Sequence, residues 1–99
     1  MSDEDRFYEE AVGRLQHDAR LGADLEHFER SAAGRYLLAC ADRDAMKAAQ
    51  ELVDCDPLDA KRIAFLQGEV KRAANMREWI TAAVNRGKQA LDTLTEAGE

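Results

Sequence analysis

The sequence predicts an all-α protein: an antiparallel helical hairpin with an N-terminal helix packed on it, three to four helices in all. Three observations lead there. The chain holds one proline and six aromatic residues, and its bulk is Ala, Leu, Glu, Lys and Arg, the strongest helix formers. Ile63, Leu66, Val70, Ala73, Arg77, Ile80, Val84, Gly87, Leu91 and Leu94 alternate three and four apart, the spacing of one stripe on a long helix that meets a partner helix. No stretch shows the period-two alternation of β-branched residues that a strand needs. At 99 residues the chain is expected to form one domain, 1–99, around a single modest core.

The first helix is expected over residues 3–20. Ser2 is a natural N-cap, and Asp3, Glu4 and Asp5 suit the positive end of the helix dipole. Phe7, Tyr8, Ala11, Val12, Leu15 and Ala19 repeat at helical spacing. Gly22 reads as the stop. Residues 23–30 then form a short helix or turn around Leu25 and Phe28.

Ser31 caps the next helix, 32–55, whose stripe is Leu38, Ala41, Ala45, Ala48, Leu52 and Cys55. Its small central alanines permit close approach of a neighbour. The sharpest local signal is Asp54-Cys55-Asp56-Pro57-Leu58-Asp59. Proline cannot continue a helix, and it drives the preceding residue out of the α region. Asp56 is therefore expected to cap a new helix with Pro57 at its first position and Asp59 at its third. So short a connection makes the flanking helices antiparallel neighbours.

The last helix, 57–96, would be about 60 Å long, against a diameter near 34 Å for a compact domain of this size. Either it breaks around Asn85-Arg86-Gly87, or its far half packs on helix one or another subunit. The stripe persists to Leu94, which favours continuity.

Charge narrows the function classes. Residues 1–56 carry fourteen Asp or Glu against seven Arg or Lys, and residues 57–99 carry six against seven, giving a net −6. An acidic chain repels phosphate, which disfavours nucleic-acid binding. Lys61-Arg62 and Lys71-Arg72 are interleaved with acids and lack aromatic neighbours for base stacking, as on a solvated helix face. Cys40 and Cys55 fit no zinc or redox spacing and read as reduced, partly buried thiols. No secretory leader is read and no apolar run has the length of a membrane span. The expected location is cytoplasmic, in a host cell or a virion if the chain is viral.

Catalytic and metal chemistry find little to use. His17 and His27 lack a ligand partner at i+4. Asp54, Asp56 and Asp59 lack the glycine and closing Glu of a calcium loop and are accounted for as caps. Ser2, Ser31, Thr81, Thr93 and Thr95 have no histidine in suitable context, and no glycine-rich turn could hold phosphate. The expectation is no enzyme activity, no cofactor and no metal. Arg77 stands on the apolar stripe, either as a charge that pairs with an acid on a partner helix or with its stem on the core and its head in water. Trp79 lies beside the stripe, open to a role in the core or at an interface. Arg77, Trp79, Val84, Leu91 and Leu94 are the candidate protein-interaction residues.

Gly34-Arg35-Tyr36-Leu37-Leu38, the turn at Asp56-Pro57, and then Leu66-Gln67, Arg72-Ala73 and Glu78-Trp79-Ile80 resemble small helical accessory proteins of tailed bacteriophages. The likeness covers roughly residues 31–88. It implies a non-enzymatic accessory component encoded among virion-assembly and packaging genes, and it brings no catalytic residues. The expected function is that of a helical interaction protein, meeting a protein partner or its own copies through the long C-terminal helix. The alternative is an acidic inhibitor that imitates nucleic-acid charge to block a host enzyme, with Asp42, Asp44, Glu51 and Asp54 as its candidate acids.

Overall fold

The computed structural model describes residues 2–98. Three helices make up the fold: α1 (Asp3–Arg30), α2 (Ala32–Asp54) and α3 (Ala60–Ala97). No strand occurs among the described residues. By its contacts the chain forms two compact units, Met1–Phe28 with Ile80–Glu99 (unit 1), and Glu29–Trp79 (unit 2). With 38 residues against the 23 of α2, α3 outruns the helix that precedes it, and its second half takes α1 as its companion.

Each helix begins where a side chain can satisfy free backbone N–H groups. The Ser2 hydroxyl accepts from the Asp5 amide at 3.2 Å. Ser31, extended at φ −72° and ψ 156°, accepts from the Gly34 amide at 2.9 Å. The start of α3 departs from expectation: Asp59, not Asp56, is the cap, its carboxylate accepting from the Arg62 amide at 3.1 Å. Pro57 lies in the turn before the helix rather than at its first position. Asp56 accepts from the Leu58 amide through Oδ1 at 2.9 Å and from the Asp59 amide through its carbonyl at 3.0 Å. A proline with φ near −65° serves a β-turn as well as a helix start. The Asp56 side chain decides between them by satisfying the Leu58 amide.

Unit 2 is the antiparallel hairpin of α2 and the first half of α3. Leu38, Ala48 and Leu66 are its buried hydrophobic residues, Leu66 with 1% of its surface left exposed. Arg62 pairs with Glu51 at 3.0 Å and lies 5.7 Å from the centre of the Phe65 ring, within cation–π range. Cys40 and Cys55 are both half-buried and unbonded to each other, and the Cys55 thiol donates to the Leu52 carbonyl at 3.2 Å.

Unit 1 pairs α1 with the second half of α3. One expectation is overturned here: Gly22 does not stop α1, which runs unbroken through residues 23–30 to Arg30. Of the two alternatives for the last helix, the continuous one that the stripe favours is the one found, and Gly87 does not interrupt α3. Neither glycine has positive φ, so backbone freedom is not their role. Both are buried and meet each other. A Cβ on Gly22 would stand 2.9 Å from the Ala83 carbonyl oxygen and from the Gly87 Cα; one on Gly87 would stand 2.8 Å from the Asp18 carbonyl oxygen and 2.9 Å from the Gly22 Cα. The two backbones cross closer than any side chain permits. Glycine's helix penalty of about 1 kcal/mol is offset by that approach.

Burial along α3 also drifts from the heptad stripe. Ala90 is 3% exposed whereas Leu91 is 57% exposed.

These contacts divide the glycines by sign. Gly22→Ala and Gly87→Ala should each destabilise by about 1–3 kcal/mol, the usual range for overpacking. Gly13 and Gly68 have open space around the same position, so alanine there should stabilise by about 0.5–1 kcal/mol. Urea melts of the four variants check this, and a Gly22→Ala chain as stable as the Gly13→Ala chain would contradict the close crossing.

Candidate protein-interaction site

The sequence-derived candidates separate between the units. Arg77 and Trp79 belong to unit 2; Val84, Leu91 and Leu94 belong to unit 1. Arg77 grips Asp42 of α2 with two hydrogen bonds, Nε to Oδ1 at 2.9 Å and Nη2 to Oδ2. The fork-to-carboxylate geometry is the strong form of ion pair. Its partner is inside the unit, so the guanidinium is already engaged and the pair bridges α2 and α3. The Arg77 hydrogen bond holds the Asp42 carboxyl below its ordinary value, and the same bond raises Arg77.

Trp79 is 68% exposed. With Ala41, Ala73 and Met76 it lines an apolar depression bordered by Asp44, Glu69 and Arg72. A second depression, at Ala48, Phe65 and Leu66, shares Asp44 and Glu69 with the first. Together they make one groove along the α2–α3 seam. Two helices cannot cover both flanks of their own contact, and the groove is the uncovered flank. Tyr36, Leu37 and Phe65 are also exposed. Among the four cations considered for nucleic acid, Arg62 pairs with Glu51 and Arg72 with Glu69 at 3.2 Å.

In unit 1, Val84 is buried. It lies among α1 residues Ala19, Gly22 and Ala23 and is covered within the unit. Leu91 is exposed. Leu94 is half-buried and borders a different groove, with Tyr8, Ala11, Val12 and Leu15. The alternation of residues 8, 11, 12 and 15 was the available signal for that groove, since an apolar face on α1 needs more cover than one neighbouring helix provides.

Side chains weighed for catalysis are in local use. Ser2 and Ser31 cap helices, and the Thr93 and Thr95 hydroxyls donate to the Gln89 and Leu91 carbonyls at 3.0 and 2.8 Å. No cluster of three or more His, Cys, Asp or Glu side chains able to hold a metal occurs among the described residues. No helix among them is long and apolar enough to cross a membrane.

Comparison of the chain with protein-family models, with curated proteins and with solved structures returns no match. The site therefore stands on its own geometry.

The ion pair carries a pH signature. Asp42 titrates lower folded than its ordinary 3.8, so its contribution is complete above that value and is lost as pH falls through the lowered folded one. The difference in melting temperature between the native chain and Asp42→Asn should be steady from about pH 7 to about pH 5 and shrink below pH 3.8. Carbon-13 titration should place the Asp42 midpoint below the ordinary 3.8, and an ordinary midpoint would show that the pair does not persist in solution.

Proposed function

We propose that the chain is a non-enzymatic helical interaction protein, an accessory component of a phage virion-assembly or packaging complex, acting in the host cytoplasm or the virion. It works by pairing with a second copy of itself through the Trp79 groove of unit 2. The observation that carries this is the exposure of Trp79 over an apolar floor at the α2–α3 seam. Tryptophan is among the residues enriched at binding hot spots. Charge supports self-pairing. Unit 2 holds nine acidic and nine basic residues, so copies meet without net repulsion. The groove's rim carries both signs, which a two-fold interface can match. The phage setting rests on the resemblance across residues 31–88.

Charge mimicry remains the alternative function, but its acids belong elsewhere. Asp42 and Glu51, two of the four named for it, are ion-paired in the neutral unit, while unit 1 has eleven acidic against five basic residues and so accounts for the whole −6. Mimicry leaves the apolar groove without a role.

Sedimentation equilibrium between about 1 and 100 μM, where a dimer held by about 8 kcal/mol forms, should show mass rising from 11.1 kDa towards twice that value. Trp79→Ser should abolish the rise while leaving the fold intact, because an exposed substitution shifts stability by only about 0.5 kcal/mol. A native chain that stays monomeric throughout, with unchanged tryptophan emission, would refute the self-pairing.

A further inference from the structure

Gly68 sits in the unit 2 half of α3, exposed, and among the described residues a Cβ there would meet nothing within 4 Å. Glycine inside a helix weakens it relative to alanine. At Gly22 and Gly87 a close backbone crossing offsets that cost; at Gly68 no other helix of the chain comes near enough to do so. Eleven residues on, Trp79 stands 68% exposed. Eleven residues are three turns and about 20° of rotation, or about 16.5 Å of axis, so ring and gap share one line along the helix. One face of α3 thus carries a protrusion and a vacancy at a fixed separation. The other open glycine, Gly13, has Ser2 and Asp24 at that separation, and neither is a large side chain.

The surroundings of the gap suit an indole. Phe65, Gly68, Glu69 and Arg72 follow i, i+3, i+4, i+7 spacing, the four corners of a hole that receives a knob from a facing helix. Phe65, 58% exposed, offers an aromatic wall, and Glu69, paired with Arg72 at 3.2 Å, offers an acceptor to an indole N–H that needs one once covered. The Arg72 guanidinium can lie against the ring face. A two-fold interface requires that residue i meet j while j meets i. A two-fold axis across α3 between residues 73 and 74, midway from 68 to 79, sets two copies of the helix antiparallel. Each Trp79 then falls on the other copy's Gly68, and each Arg72 falls opposite an Asn75, so like charges do not meet at the axis. A parallel pairing would stack Trp79 on Trp79 and leave both gaps empty.

We infer that self-pairing is antiparallel and that Trp79 of each copy seats at Gly68 of the other, its ring against Phe65 and Arg72 and its N–H donated to Glu69. The inference rests on the self-pairing reading and supplies what the exposure of Trp79 leaves open, the surface that receives it. Gly68 is then a recognition position, whose cost to the helix is recovered in the pair.

Two full-length variants test the seat. Trp79 is the only tryptophan, so Trp79→Ser keeps an intact seat and has no tryptophan emission of its own. Gly68→Gln fills the seat with a good helix former and keeps the ring. In dilute urea melts Gly68→Gln should be more stable than the native chain, because the position is open in the single copy. Sedimentation equilibrium should nevertheless show its self-association weakened about tenfold or more. Titrating Trp79→Ser into Gly68→Gln rebuilds one of the two seats. Pairing in the mixture should be about tenfold tighter than in either variant alone, and Trp79 emission should shift to the blue. Native-like self-association of Gly68→Gln, a Gly68→Gln chain less stable than the native one, or emission unmoved in the mixture would each overturn the seat. If the native chain still dimerises, those results leave self-pairing standing, whereas a native chain that stays monomeric to about 100 μM refutes both.

Discussion

A pair of helices has no third layer to lean on, so its stability depends on how much surface the two backbones remove from water by approaching each other. In unit 1 that approach is set by Gly22 and Gly87, whose missing side chains let the backbones of α1 and α3 meet directly. Interhelical separation is ordinarily fixed by the side chains at the crossing. Removing both side chains draws Ile80, Val84 and Ala90 into burial on a helix rich in small residues. Unit 2 reaches the same end with different means. Alanines narrow the seam, Leu66 fills it, and the Arg77–Asp42 and Arg62–Glu51 pairs bridge the two helices. Exposed ion pairs contribute little energy, so the register there owes more to geometry than to charge.

The same two-helix economy explains the apolar surface that remains. Each pair buries one seam and leaves a flank uncovered, at Trp79 and Met76 in unit 2 and at Tyr8 and Leu94 in unit 1. The flanks differ in electrostatic setting: unit 2 is balanced and unit 1 carries the whole net charge. Partition of charge between two otherwise similar faces is a means of directing them to different partners, because charge sets which encounters are permitted more than how tightly they hold. The hydroxyls of Ser2, Ser31, Thr93 and Thr95 are each engaged with a helix backbone.

Much of the fold was legible in the sequence, and the errors have a common cause. Helical composition, the Ser2 and Ser31 caps and the turn before α3 depend on local chemistry, and local chemistry is written in neighbouring residues. Gly22 misled because a glycine near the end of an apolar pattern has two physical uses, as a stop and as a point of close contact, and only the distant Gly87 distinguishes them. Pro57 misled similarly: turn and helix start demand the same φ, and the choice depended on a hydrogen bond from the Leu58 amide. Of the candidate site, Trp79 and Leu94 were accessible to periodicity, since both border a groove. Val84 is covered by α1, a fact that no single helix pattern carries. For Arg77, the structure takes the first of the two readings its place on the stripe allowed, a charge paired with an acid on the neighbouring helix, and that acid is Asp42, thirty-five residues away. The groove at Tyr8 went unread because its significance lies in what fails to cover it.

The claim on which the rest depends is that α3 is one unbroken helix whose second half is crossed by α1 at a glycine pair. The most direct measurement is the nuclear Overhauser effect between the α protons of Gly22 and Gly87 in dilute, isotope-labelled protein, recorded with the carbon shifts of residues 84–90. A strong cross-peak together with continuous helical shifts is the expected result. Absence of the cross-peak, or coil-like shifts around Gly87, would contradict the account.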